Sequence, residues 1–106
     1  MIRKAFLMEV KPGKIDEYEK SHNPIWPELH EIFKKHGVHN FSTYLHEPTR
    51  QLFGYVEIED EARWNAIAKT ETCRKWWLYM KKFLVSNSLD SPKAKEDELR
   101  EIFHID

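Results

Sequence analysis

Two prolines three residues apart, Pro24 and Pro27, constrain this chain more than any other feature. In His22-Asn23-Pro24-Ile25-Trp26-Pro27 neither proline can donate the backbone bond that a helix interior needs. Asn23, ahead of Pro24, is pushed toward extended backbone. A helix leading up to His22 must therefore stop there, and a second can restart near Pro24 or Ile25, because proline suits a first helical turn. The break sets an imidazole that titrates near neutral pH at a helix end. It also sets flat indole faces nearby, with Trp76-Trp77 following later in the chain. The residues alone leave two readings open. One is a packed histidine in an aromatic core; the other is acid–base chemistry on a small neutral molecule.

On either side of the break the periodicities are legible. Ile2 to Val10 is rich in apolar residues and stops at the turn signal Lys11-Pro12-Gly13, which predicts a strand. From Lys14 the spacing becomes helical, with Ile15, Tyr18 and His22 on one face. The second helix carries Leu29, Ile32 and Phe33 inward and ends at His36-Gly37. Val38 to Leu45 alternates and, across Glu47-Pro48-Thr49-Arg50, meets Leu52 to Ile58 in an antiparallel hairpin. Asp60 or Glu59 caps a short helix carrying Trp64, Ile67 and Ala68, and Thr70 caps another that runs to about Leu84. Ser86 to Asp97 reads as a loop and Leu99 to Ile105 as a closing strand.

That order, β-α-β-β-α-β, predicts an α+β fold: a ferredoxin-like four-stranded antiparallel sheet with helices on one face. The chain of 106 residues is one domain, 1–106. The bare sheet face needs a cover, and a second copy is the simplest, so a homodimer is expected.

Composition narrows the partners. A net charge of −1 and a pI near 6.6 give no electrostatic ground for binding nucleic acid or an anionic membrane. No apolar run has the length of a signal peptide or a membrane span, and a single cysteine, Cys73, excludes an internal disulfide framework. Both favour a reducing, cytoplasmic setting. Three glycines leave no phosphate-cradling loop, so no nucleotide cofactor is expected. The other histidines show no ligand spacing beside a carboxylate or a cysteine pair, and no metal site is expected.

Tyr18 and His22 lie four apart on one helical face and can converge. The helix dipole near a C-terminus favours the imidazolium, which suits a general acid. Trp76 and Trp77 point about 100° apart on a helix, so they cannot share one narrow stripe. Cys73, Met80 and Leu84 make Trp77 the packed indole and move Trp76 toward an edge. Cys73 reads as a packed thiol rather than a nucleophile.

Several strings taken together resemble one family over essentially the whole chain. These are the Met1-Ile2-Arg3-Lys4-Ala5-Phe6 opening, Tyr18 with His22-Asn23-Pro24-Ile25-Trp26-Pro27-Glu28-Leu29, Gly37 with His39-Asn40, Val56-Glu57-Ile58, Arg63-Trp64-Asn65, and Trp76-Trp77 with Tyr79-Met80. They are similar to L-rhamnose mutarotase. The resemblance implies a dimeric α+β barrel protein, cytoplasmic and without cofactor, that interconverts the α and β anomers of L-rhamnose. It implies His22 as proton donor and Tyr18, Trp76 and Trp77 as sugar contacts. The family often carries a sugar-contacting tyrosine where this chain has Phe41. That change keeps the ring and loses a hydroxyl bond worth about 0.5–1.5 kcal/mol. Two further readings share the pattern: a cofactor-free monooxygenase of the same fold, and a sugar-binding module without catalysis.

Overall fold

A computed structural model describes residues 1–87, 91 and 93–106. The prolines act as their chemistry requires: α1 (Ile15–Ser21) ends just before His22, and α2 (Pro27–Lys35) begins with Pro27 in its first turn. The restart falls later than Pro24 or Ile25 because Trp26, which precedes Pro27, is extended at φ −55° and ψ 128°. Helix α2 closes at His36 and Gly37 has φ +73°. A Cβ at Gly37 would lie 2.9 Å from atoms of Glu59, so glycine meets both the left-handed turn and the close approach.

Four strands, β1 (Ile2–Glu9), β2 (Val38–His46), β3 (Gln51–Ile58) and β4 (Asp97–Leu99), form an antiparallel sheet in the order β2-β3-β1-β4. Phe6 pairs with Gly54, and its ring crosses the space a Cβ would fill there. Two further helices, α3 (Glu61–Ile67) and α4 (Glu71–Met80), complete the α+β, ferredoxin-like arrangement. Each is capped by a side chain: Asp60 accepts from the Arg63 amide and Thr70 from the Cys73 amide. The helices cover the sheet face that carries Phe6, Val10, Leu52, Val56 and Ile58, which pack with Tyr18, Leu29, Trp76 and Met80 in two adjoining clusters.

Two expectations about length need correction. Helix α4 stops at Met80 rather than Leu84, because the backbone of Phe83 to Val85 finds partners along Glu9 to Lys11 instead. The closing strand is Asp97–Leu99, not Leu99–Ile105: past Leu99 the tie to β1 is the Arg3–Glu101 ion pair, and Ile102, Phe103 and Ile105 are exposed. Alternation shows that a segment can be extended, not that a neighbouring strand extends alongside it. Part of the expected loop, residues 88–90 and 92, lies outside the described residues; 86, 87, 91 and 93–96 carry neither helix nor strand.

Strand β2 holds one irregularity. Its pairing with β3 steps from His39–Glu57 to Ser42–Tyr55, so Asn40 and Phe41 together face the single residue between them. Asn40 takes φ +47°, a conformation asparagine tolerates, and its amide donates to Glu57 at 2.8 Å. The extra residue puts Val38 and Phe41 on the helix-covered side, where strict alternation would part them.

Candidate active site

The broken helix builds the site. As the C-cap of α1, His22 turns its ring back along the helix, 4.4 Å between centroids from the Tyr18 ring. Nδ1 lies 3.0 Å from the Tyr18 carbonyl oxygen and 2.9 Å from Ser21 Oγ. Nε2 has no hydrogen-bond partner among the described residues, and no buried polar side-chain atom there is unpaired, so Nε2 reaches open space. His22 lines a cavity of about 860 Å³ between the helices and the sheet, together with Tyr18, Phe41, Trp76 and Trp77 among others.

Burial sets the electrostatics. It lowers the pKa of His22 from 6.5, against the raising effect of the bond to the Tyr18 carbonyl. The sequence expectation, a helix end favouring imidazolium, therefore loses to desolvation, and the resting ring is neutral at neutral pH. Burial pushes the Tyr18 phenol up to about 12, with a hydrogen bond to Thr43 acting the other way. Tyr18 is thus a neutral phenol, not a base in waiting. Burial also takes the Cys73 thiol to about 11, which leaves it protonated.

The two tryptophans exchange their expected places. Trp76 is buried in the core, its ring 5.1 Å from His22 and near-perpendicular to it at 80°. Trp77 is half-buried, with Lys93 Nζ 5.2 Å from its ring centre. The expectation leaned on Leu84 as a face marker of a continuing helix. Because α4 ends at Met80, its buried stripe is Cys73, Trp76 and Met80. Both indoles still line the cavity.

Phe41 lies apart from this group. Its ring contacts are with Phe33 at 5.4 Å, Phe6 at 5.9 Å and Trp64 at 6.3 Å, at another part of the same cavity. The bulge aims it there. His22 therefore meets both Tyr18 and Trp76 ring to ring, whereas Trp77 packs at the edge of the same cluster and Phe41 lines another part of the cavity.

Sequence reasoning passed over three contributors. Trp26 packs edge-on against Trp76 at 5.0 Å and stacks on Tyr79 at 5.5 Å, fixing the indole that faces His22. Its signal was an aromatic residue held extended between Ile25 and Pro27. Ser21, three residues after Tyr18, and Thr43 bond into the site, but a lone hydroxyl gives no pattern to read. Among the described residues no three His, Cys, Asp or Glu side chains gather where they could hold a metal ion, and no helix is long and apolar enough to cross a membrane.

A family model described as L-rhamnose mutarotase matches residues 3–105. A protein of Opitutus terrae named L-rhamnose mutarotase is 58% identical over 106 residues, covering 100% of both chains. The crystal structure of an L-rhamnose mutarotase from Formosa agariphila superposes with a TM-score of 0.88 at 27% identity, covering 100% of each chain. A putative antibiotic biosynthesis monooxygenase from Nitrosomonas europaea shares the fold alone, with a TM-score of 0.65 at 10% identity over 97% of this chain and 100% of that one.

Proposed function

The chain belongs to the L-rhamnose mutarotase family, and on that premise we propose that His22 moves the protons by which this isomerase interconverts the α and β anomers of L-rhamnose. The observation that carries the assignment is the His22 ring itself, tied at Nδ1 and open to the cavity at Nε2 beside the Trp76 indole.

Changing anomers requires opening the pyranose. The ring oxygen gains a proton, the C1–O5 bond breaks, and the C1 hydroxyl loses its proton to give the open aldehyde. Rotation about C1–C2 followed by attack of the C5 hydroxyl on the other carbonyl face reverses both transfers. His22 Nε2, once protonated, gives its proton to the ring oxygen. Its lowered pKa makes that imidazolium a stronger acid, though a scarcer one at neutral pH. The phenol of Tyr18, held near 12, donates or accepts hydrogen bonds to the sugar and stays neutral, so the C1 proton passes to water. Trp76, Trp77 and Phe41 form walls for the apolar C–H face of the sugar and its methyl group.

The experiment is anomer exchange of L-rhamnose followed by saturation-transfer NMR. Protein should accelerate exchange, and His22→Ala should remove about 10²–10⁴-fold of that gain while leaving the circular dichroism unchanged. Parent-like exchange in a folded variant would remove His22 from the chemistry.

The same reading includes a homodimer working in the cytoplasm. What supports the dimer is the sheet face away from the helices, where Phe53, Tyr44 and Leu99 are exposed along with Ile102, Phe103 and Ile105 beyond the last strand. Analytical ultracentrifugation should give twice the chain mass, and Phe53→Lys should return the monomer. A monomeric parent would end that part of the reading. The protonated lone thiol of Cys73, buried in the core, suits a reducing compartment.

A further inference from the structure

The hydrogen bonds around His22 favour one nitrogen as the bearer of the proton. The Tyr18 carbonyl oxygen can only accept, and it takes the single Ser21 hydroxyl proton at 2.5 Å. Ser21 Oγ, its proton so committed, can meet Nδ1 at 2.9 Å only as an acceptor. The carbonyl, 3.0 Å from Nδ1, is an acceptor as well. Both neighbours of Nδ1 therefore require it to bear hydrogen, and the neutral ring has its lone pair on Nε2, the nitrogen that reaches the cavity.

A serine bonding back to the carbonyl three residues earlier is common at helix ends and by itself would mean little. Here Ser21 is also the one polar residue that is buried, at 8% exposure, among those described. Its hydroxyl oxygen lies against the imidazole. We propose that Ser21 is a positioning residue for His22: together with the Tyr18 carbonyl it pins the proton on Nδ1 and the ring in place, so that Nε2 alone exchanges protons with the sugar. This rests on the reading of His22 given above. Ser21 itself touches no reacting atom.

The test uses full-length protein with ¹⁵N-labelled histidine, without sugar, above pH 7.5, where the ring is neutral. The parent should show the Nδ1–H tautomer of His22. Ser21→Ala should bring in the Nε2–H tautomer and lower kcat for anomer exchange about three- to tenfold, the weight of one hydrogen bond, with KM little changed. Ser21→Thr, which restores the hydroxyl, should recover both. An Nε2–H tautomer in the parent overturns the proposal. So does Ser21→Ala with an unchanged spectrum or an unchanged kcat. The spectrum is independent of turnover, so exchange that persists in His22→Ala would defeat the catalytic reading while the tautomer still reports on Ser21.

Discussion

The two ends of the cavity are built from similar rings but held in different ways. At one end Tyr18, His22 and Trp76 are locked by hydrogen bonds at Nδ1, by a phenol bonded to Thr43, and by Trp26 wedged against Trp76. At the other, Phe41 meets Phe6, Phe33 and Trp64 through ring contacts alone, on a strand that bulges. The first end orients polar atoms in a desolvated setting, where their orientation decides proton transfer. The second supplies shape. Chemistry and fit can therefore be perturbed separately.

The largest effect should come from the buried indole that joins the first end to the core. Trp76→Ala should cost about 3–5 kcal/mol in denaturant unfolding and take the exchange activity with it. The half-buried Trp77→Ala should cost clearly less stability while weakening sugar binding. Equal stability losses for the two would erase the distinction between a packed indole and a wall.

A pH series separates the ends next, since the proposed proton transfer uses His22 at the first end and no group at Phe41. The folded pKa of His22 lies below 6.5, so the unfolded chain binds the proton first. The stability gained by keeping the ring neutral is full above pH 6.5 and is lost as pH falls through the lower folded value. Thermal melts should show that decline, and His22→Gln should flatten it. Meanwhile the His22-dependent rate should rise as pH falls toward that value, because the donor must be protonated. A rate that instead falls with acid while the protein stays folded would make His22 the base.

The smallest effect belongs to the second end. Phe41→Tyr should improve L-rhamnose affinity by about 0.5–1.5 kcal/mol, read as a lower KM with unchanged kcat. No change would confine Phe41 to packing and place the sugar wholly at the His22 end.

Much of this was legible in the chain. The helix break at Pro24 and Pro27, the Asp60 and Thr70 caps and the hairpin follow from local backbone chemistry that few tertiary contacts can override. The convergence of Tyr18 with His22 follows from helical spacing. Less legible was whatever depends on distant partners. Trp76 took the buried position because α4 stops where Phe83 to Val85 bond to the end of β1. The last strand ended early because β1 pairs with it only from Ala5 to Leu7. The direction of the His22 shift turned on how much protein surrounds the ring, and local sequence does not contain that quantity.

The bulge at Asn40 has a consequence for how this strand can vary. It works as a phase shifter: downstream of it Thr43 and Leu45 line the cavity, and upstream Val38 lines it too, though an unbroken two-residue rhythm would turn Val38 outward. Substitutions along β2 change one side chain at a time. Loss or gain of a single residue there would invert one whole half of the strand, exchanging cavity wall for exterior in one event. Length, more than identity, is what this stretch cannot surrender.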